Sequence, residues 1–344
     1  MGVEQRAGII REIENLTSSR LICYVTGDRR GLETKIAGDI LPLVYDHLRA
    51  IGCVSRLNIF LYTVGGDPLA GWALVSLIRE FSQAFGVIIP FRALSCGTLI
   101  SLGADELILS RGAQLSPVDP SLASPYNPQV PGQMQPGAVP SILPVSVEDV
   151  VGYLKLARDE AGIKGDEGIS NIMVVLSQKV HPMALGAVYR SREQIRLLAT
   201  KLLAAHENDE AKISKIVDTL TKELPSHQYL INRREAKELG LKVSEPSVQL
   251  DELIYNLYRD YETQLQLNIP YNQEAILGTA ESGTNTFDRA FIESLTPEHR
   301  IRAHVFRTTR EIKRIQTTQP GIPFPIAAFQ ERNLEERWIE IQGG

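Results

Sequence analysis

Val87-Ile88-Ile89-Pro90-Phe91-Arg92-Ala93-Leu94-Ser95-Cys96-Gly97-Thr98-Leu99-Ile100 is the stretch from which the rest of the chain is read. Its apolar start, Val87 to Phe91, has the composition of a buried strand. Gly97 then opens an apolar segment, Thr98 to Ala104, that predicts a short helix. The Ser95 hydroxyl is thereby placed on a sharp strand-to-helix turn at a helix N-terminus. First-turn N–H groups there have no intrahelical partner, and the helix dipole favours negative charge. A serine in that position either attacks a carbonyl and has the oxyanion held by its own turn, or caps a buried helix. Ser-x-Gly alone does not separate the two readings.

A second turn lies upstream. Leu57-Asn58-Ile59-Phe60-Leu61-Tyr62-Thr63-Val64 reads as a strand and runs into Gly65-Gly66-Asp67-Pro68. Asp67 suits the N-cap of the next helix and Pro68 its first position. Leu69, Ala73, Leu77 and Phe81 recur four apart, the buried stripe of that helix. Paired glycines let the backbone turn sharply with an N–H left to face a ligand. Gly66 and Ser95 are 29 positions apart, room for one helix and one return strand. In a parallel sheet both turns then sit at the carboxyl ends of neighbouring strands, where such sheets build their sites. The Gly66 and Cys96 N–H groups are the candidate pair for one oxyanion. A side chain at Gly66 is expected to displace that donor while leaving the fold.

Gly-Gly-Asp, a helix, then Ser-x-Gly after a strand resembles the Clp protease and crotonase superfold. Within it the chain is most similar to the serine dehydrogenase proteinase family, relatives of signal peptide peptidase A. That family's Ser-x-Gly-Thr-Leu-Ile and Ala-Asp-Glu correspond to Ser95-Cys96-Gly97-Thr98-Leu99-Ile100 and Ala104-Asp105-Glu106. Its Gly-Pro-Val-Asp-Pro corresponds to Ser116-Pro117-Val118-Asp119-Pro120. Its Thr-His-x-Tyr-Pro and Glu-Ala-Lys-Glu-Leu-Gly-Leu correspond to Ser226-His227-Gln228-Tyr229-Leu230 and to the run from Glu235 to Leu241. Ser116, Ser226 and Leu230 depart from the pattern. The likeness runs over about residues 20 to 250. It implies an α/β fold, a parallel sheet with a helical layer, to which the chain adds a β-containing C-terminal accessory region. It also implies a serine peptidase acting through an acyl-enzyme on Ser95, without a cofactor, on a peptide or protein substrate laid along the sheet edge.

Serine needs a base, being a poor nucleophile near neutral pH. Asp119 falls 24 positions after Ser95, near where a Clp-type protease has its histidine. His227 falls near where such a protease has its aspartate. The resemblance thus implies His227 as base and Asp119 as its orienting partner, with the two seats exchanged. Structural roles stand beside these: a satisfied histidine, and a turn aspartate between Val118 and Pro120. Lys155 is the rival base, by analogy with the serine–lysine pair of signal peptide peptidase A relatives. It would need burial to lose its proton near neutral pH, and its helix position suggests solvent exposure. Cys96 is expected to point into the core and be inert. Two other classes remain as alternatives: a crotonase-type acyl-CoA enzyme, and a non-catalytic peptide-binding scaffold that has lost its base.

Composition narrows the rest. The 344 residues exceed one ordinary core. A hydrophobic content of 43% and a charged content of 22% are those of a globular protein. Net charge −5 argues against a nucleic-acid partner. Cys23, Cys53 and Cys96, three cysteines without Cys-x-x-Cys, suit a reducing compartment, and a cytoplasmic location is expected. The six histidines show no metal-ligand spacing, so no metal is expected. No apolar run has the length of a membrane span. The expected division is an N-terminal helix in 1–20, a peptidase domain over 21–265 and a linker with the accessory region over 266–344.

Along the chain, residues 3–17 read as an amphipathic helix that either covers the sheet or binds a neighbouring subunit. A helix is expected from Thr34 to Ile51, kinked by Pro42. Prolines crowd residues 117–146, read either as a surface insertion or as a flap beside the Ser95 cleft. From Val147 to Leu224 apolar stripes at helical spacing include Ile195, Leu198, Ala199, Leu202 and Ile213, Ile216, Val217, Leu220. Their surface exceeds what one sheet face covers, and a homo-oligomer is expected. Residues 276–288 read as a flexible link, and 300–307 as a strand with a basic stripe.

Overall fold

A computed structural model describes residues 3–118, 121–122, 126–127, 143, 145–224, 226, 228–317 and 326–342. The elements are, in order, α1 (Val3–Thr17), β1 (Arg20–Thr26), α2 (Ile40–Ile51), β2 (Val54–Tyr62), α3 (Pro68–Phe81), β3 (Ser82–Ile89), β4 (Arg92–Ala93), α4 (Cys96–Leu102), β5 (Glu106–Leu109) and β6 (Gln114–Leu115). Then come β7 (Ser121–Leu122), β8 (Val145–Ser146), α5 (Val147–Lys155), α6 (Asp166–Lys179), α7 (Pro182–Ala204) and α8 (Glu210–Asp218). The chain continues with β9 (Ile231–Asn232), α9 (Arg233–Glu238), β10 (Val243–Ser244), α10 (Val248–Gln264), α11 (Gln273–Leu277), β11 (Ser282–Leu295), β12 (Ile301–Thr317) and β13 (Ile326–Gln342). They form two units, residues 1–115 with 232–344, and residues 116–231.

The first unit is built on an eight-stranded sheet in the order β10-β5-β3-β2-β1-β11-β12-β13. The five strands from β10 to β1 are parallel, and β11 to β13 add to β1 as an antiparallel extension. Parallel strands are buried on both faces and so read as unbroken apolar runs. Leu21, Cys23 and Val25 of β1 and Phe60 and Tyr62 of β2 meet Ile10 and Ile13 of α1 and Ile254, Leu257 and Tyr261 of α10 on one face. The alternate residues Ile22, Tyr24, Ile59 and Leu61 are equally buried. α4 packs on this second side, where Gly97 lies against Leu61 and Thr63.

Three boundaries differ from the sequence reading, each for a physical reason. α2 starts at Ile40, not near Thr34, because the backbone of 34–36 is used elsewhere. Thr34 N–H bonds Gly27 O, and Ile36 pairs with Gly66. Pro42 then falls in the first turn, where a missing N–H costs nothing, and kinks no helix. β3 begins at Ser82, straight after α3, and stops before Pro90, which has no N–H to give the ladder. The link expected over 276–288 is largely the outer half of β11, whose partner is β12. Its residues are polar because that half is largely exposed, not because the chain is loose.

α1 covers the sheet beside α10 through a contact the amphipathic pattern hides. Arg6 is fully buried, with Nη1 2.6 Å from Asp260 and Nη2 2.5 Å from Glu293. Tyr261 donates its hydroxyl to Glu293 at 2.6 Å, and the guanidinium lies over the Tyr261 and Phe291 rings. The Glu293 carboxylate and the neighbouring Tyr261 and Asp260 hold Arg6 protonated against the burial that opposes it. Buried pairs cost solvation that only good geometry repays. On the other side His47 Nδ1 stands 2.7 Å from Ser294 Oγ and its Nε2 2.9 Å from His304 Nδ1. Burial, with His304 and Arg302 adding, lowers His47 to about 3. The basic stripe of β12 is paired inside the sheet: Arg302 with Glu340, Arg307 with Asp288, Arg310 with Glu331.

Among its described residues the second unit is mostly helical, with the antiparallel pair β7–β8. Its expected stripes are buried: Ile195, Leu198, Ala199 and Leu202 on α7, and Ile213, Ile216 and Val217 on α8, with Leu220 just beyond. Val188 packs with Val150, Val151 and Val180. His181 and Asp209 cap α7 and α8. Met173, Val174 and Val175 of α6 and Met183, Tyr189 and Leu197 of α7 are exposed. The Pro-rich stretch of 117–146 lies mostly outside the described residues. Among the described residues no single helix is long and apolar enough to cross a membrane, although α6 and α7, bent by 105°, reach that length and composition together.

Candidate active site

β4 delivers Ser95 to the N-terminus of α4, the arrangement the sequence implies. Ser95 itself has φ 52° and ψ −111°, a backbone state that residues other than glycine adopt only at a cost of about 1–3 kcal/mol. The surrounding structure imposes it. Leu94 N–H bonds Thr63 O at 3.0 Å, Gly97 N–H bonds Leu94 O at 2.8 Å, and Leu99 N–H bonds Ser95 O at 3.0 Å. Thr98 Oγ1 closes the turn onto Ala93 O at 3.0 Å. Cys96 begins the first turn of α4, so its N–H has no acceptor within the helix.

The glycine turn lies directly beneath. Gly65 has φ 115°, and a Cβ there would stand 2.8 Å from Ser95 Cβ and 3.2 Å from Ser95 Oγ. The two turns therefore touch only because Gly65 has no side chain. Gly65 O accepts Ile36 N–H at 2.9 Å, and Asp67 N–H reaches Ile36 O at 2.8 Å. A trans peptide points its C=O and N–H in opposite directions. With the Gly65 carbonyl turned to Ile36, the Gly66 N–H is turned away from it. Asp67 accepts Leu69 N–H at 2.9 Å and Pro68 opens α3, as expected.

One expectation fails here. A Cβ on Gly66 would sit 2.1 Å from Ile36 O and 2.4 Å from Ile36 N. It would strike backbone on the far side of the turn, so a side chain at Gly66 disrupts the fold before it reaches any acyl oxygen.

Asp119 and His227 lie outside the described residues. Lys155 ends α5 and is exposed, without the burial a lysine base needs. Cys96 is fully buried, its Sγ 3.1 Å from Asp67 O, and burial pushes its thiol up to about 12, which leaves it inert. Among the described residues no group of histidine, cysteine, aspartate and glutamate could hold a metal ion.

The structure also brings in residues that motif reading passed over. Thr26 and Thr63, at the carboxyl ends of β1 and β2, are fully buried and joined hydroxyl to hydroxyl at 2.8 Å. Arg92, three residues before Ser95, pairs with Asp28 at 2.8 Å, and Asp28 also accepts the Tyr62 hydroxyl at 3.1 Å. The available signal is polarity: Thr26 and Thr63 are polar residues at the same end of two largely apolar runs.

Comparison with known proteins agrees with the motif resemblance. Residues 3–130 match the family described as ClpP-like SDH-type serine proteinase, a stretch that contains Gly66, Ser95 and Asp119 but not Lys155 or His227. The match supports a serine peptidase in general terms. Two uncharacterized proteins of Methanocaldococcus jannaschii are 28% identical, one over 218 residues and one over 253. The matched regions cover 62% and 70% of this chain, and 63% and 72% of those proteins. Among solved structures, the chain is similar to the 1510-N membrane-bound stomatin-specific protease, with TM-score 0.35, 14% identity, and coverage of 64% of this chain and 79% of that one. It is likewise similar to ClpP1 from Listeria monocytogenes, with TM-score 0.35, 13% identity, and coverage of 69% and 98%.

Proposed function

We propose that this chain is a serine peptidase that cleaves peptide bonds through an acyl-enzyme on Ser95. The observation that carries the reading is the contact of two turns: Ser95, strained at φ 52°, set against Gly65, with the Gly65–Gly66 peptide fixed by Ile36. Oxyanion stabilisation needs donors that are rigid before reaction, and a peptide held at both ends supplies one. In this reading Ser95 Oγ attacks the scissile carbonyl while His227 takes its proton and Asp119 orients the imidazole. The Gly66 and Cys96 N–H groups receive the negative oxygen. Collapse of the tetrahedral intermediate breaks the C–N bond, and the proton passes from the imidazole to the leaving amine. Water then attacks the acyl carbon while giving a proton to the same base, the bond from that carbon to Ser95 Oγ breaks, and the imidazolium returns the proton to Ser95 Oγ as the acyl group leaves as a carboxylic acid, which ionises in solution.

The exposure of Lys155 favours the histidine base over a serine–lysine pair. The comparison that tests it is peptide hydrolysis by His227→Ala and Lys155→Ala, each checked for folding and assembly. Residues that act as one unit lose activity together, so His227→Ala is expected to fall nearly as far as Ser95→Ala, and Lys155→Ala to stay near wild type. A dead lysine variant beside an active histidine variant overturns the assignment. We further propose a homo-oligomer, because Met173, Val174, Val175, Met183, Tyr189 and Leu197 put apolar surface on the outside of two helices. Light scattering that reports monomer mass at all concentrations would overturn this.

A further inference from the structure

We infer that Thr63 is a positioning residue for the oxyanion site: its buried hydroxyl clamps the Gly65 peptide and so sets the direction of the Gly66 N–H. The inference rests on the peptidase reading given above and adds to it the residue that joins the two turns. Thr63 stands one position past β2, fully buried. Its backbone holds the nucleophile strand, with N–H to Arg92 O at 2.9 Å and O accepting Leu94 N–H at 3.0 Å. Its side chain holds the glycine turn, with Oγ1 accepting Gly65 N–H at 3.0 Å. Its methyl Cγ2 lies 2.6 Å from where a Gly97 Cβ would be, against the first turn of α4. Backbone, hydroxyl and methyl of one residue thus touch all three pieces of the site.

The hydroxyl is itself oriented. Thr26 Oγ1 donates to Thr63 Oγ1 at 2.8 Å, and Gly65 N–H donates to the same oxygen. The Thr63 proton is left to point toward Gly65 O, 3.4 Å away. Gly65 is thereby held on both sides, its N–H by Thr63 and its C=O by Ile36. Glycine without such restraints visits many backbone states at little cost. Without the hydroxyl, Gly65 N–H loses its acceptor, and the side of Gly65 that faces Thr63 is no longer held. Two substitutions separate the hydroxyl from the methyl. Valine keeps the shape and the Gly97 contact but not the acceptor, and serine keeps the acceptor but not the methyl.

The test uses that pair of substitutions in the full-length protein, with two readouts. The first is amide hydrogen exchange of Gly65. Thr63→Val is expected to exchange at least tenfold faster there, and Thr63→Ser to stay close to wild type. The second is the rate of labelling of Ser95 by a fluorophosphonate. Misplacing a reacting group by about 1 Å costs roughly 10²-fold, so Thr63→Val is expected to slow labelling by about tenfold or more, with Thr63→Ser restoring most of the rate. Should Thr63→Val fail to fold, Thr63→Ala removes the hydroxyl without crowding Gly97. Unchanged Gly65 exchange in a folded Thr63→Val protein overturns the clamp. So does a Thr63→Ser protein as slow in labelling as Thr63→Val, because then the methyl and not the hydroxyl matters. A wild-type protein that shows the exchange pattern but no label at Ser95 keeps the clamp and sinks the peptidase reading instead.

Discussion

Gly65→Ala asks whether the contact between the two turns is what makes Ser95 competent. The added methyl would stand 2.8 Å from Ser95 Cβ, and 3.2 Å from both Ser95 Oγ and Leu94 O. Carbon atoms at rest sit about 3.5–4.0 Å apart, so the serine must retreat by roughly 1 Å or the glycine turn must open. Overpacking of this kind costs about 1–3 kcal/mol. The φ of 115° adds to it, being a state that alanine rarely adopts. The fold should survive, since the clash falls on one side chain and one carbonyl at a turn. The chemistry should not, because a displacement of about 1 Å costs on the order of 10²-fold in rate. The assay is kcat and KM on a fluorogenic peptide, beside a thermal melt. The expected result is a folded protein with a lower Tm and kcat down by about 10²-fold. A folded Gly65→Ala enzyme with wild-type kcat would refute the reasoning. Gly66→Val behaves otherwise: its side chain meets the Ile36 backbone, so loss of folded protein comes before any kinetic effect.

Other outcomes are open to direct measurement. Ser95→Gly should melt higher than Ser95→Ala by an amount equivalent to about 1 kcal/mol or more, since both lack the hydroxyl and only glycine relieves the φ of 52°; equal stabilities would mean the turn stores no strain. Arg6→Met leaves the carboxylates of Glu293 and Asp260 buried without their cation and should cost about 3–5 kcal/mol by urea unfolding, part of it recovered by adding Glu293→Gln. His47, lowered to about 3 in the folded state, binds its proton only on unfolding at mild acidity. Its contribution is therefore full above the unfolded pKa of about 6.5 and is lost as pH falls toward 3, about 2 kcal/mol between pH 7 and pH 5. In His47→Asn the fall in stability over that range should be smaller by about that amount, and an unchanged fall would contradict the assignment.

The sequence carried the positions of the two turns and the order of the elements around them, because glycine pairs, a capping aspartate and apolar runs each have a local cause. It did not carry which way the turns face. Gly65 and Gly66 are equivalent in a motif, yet one abuts Ser95 and the other Ile36, and only the pairing of residue 36 decides between them. The neighbours of Ile36 suit a helix, and its backbone pairing with Gly66 is a tertiary choice. Thr63 reads as a plain strand residue, since its partners Thr26, Arg92 and Leu94 lie far along the chain. Arg6 was hidden for a related reason: periodicity counts a charge as a wet position, and Glu293 and Asp260 make this one dry. The outer half of β11 fell to the opposite error, a strand without a buried face and so without alternation.

The account stands on Ser95 being a nucleophile rather than a helix cap. The direct measurement is treatment of the full-length protein with a fluorophosphonate, followed by peptide mass mapping of the adduct. The prediction is one label per chain, on Ser95, formed at a rate that falls in acid and abolished in Ser95→Ala. A well-folded protein that takes no label, or takes it at another serine while Ser95 stays unmodified, would contradict it.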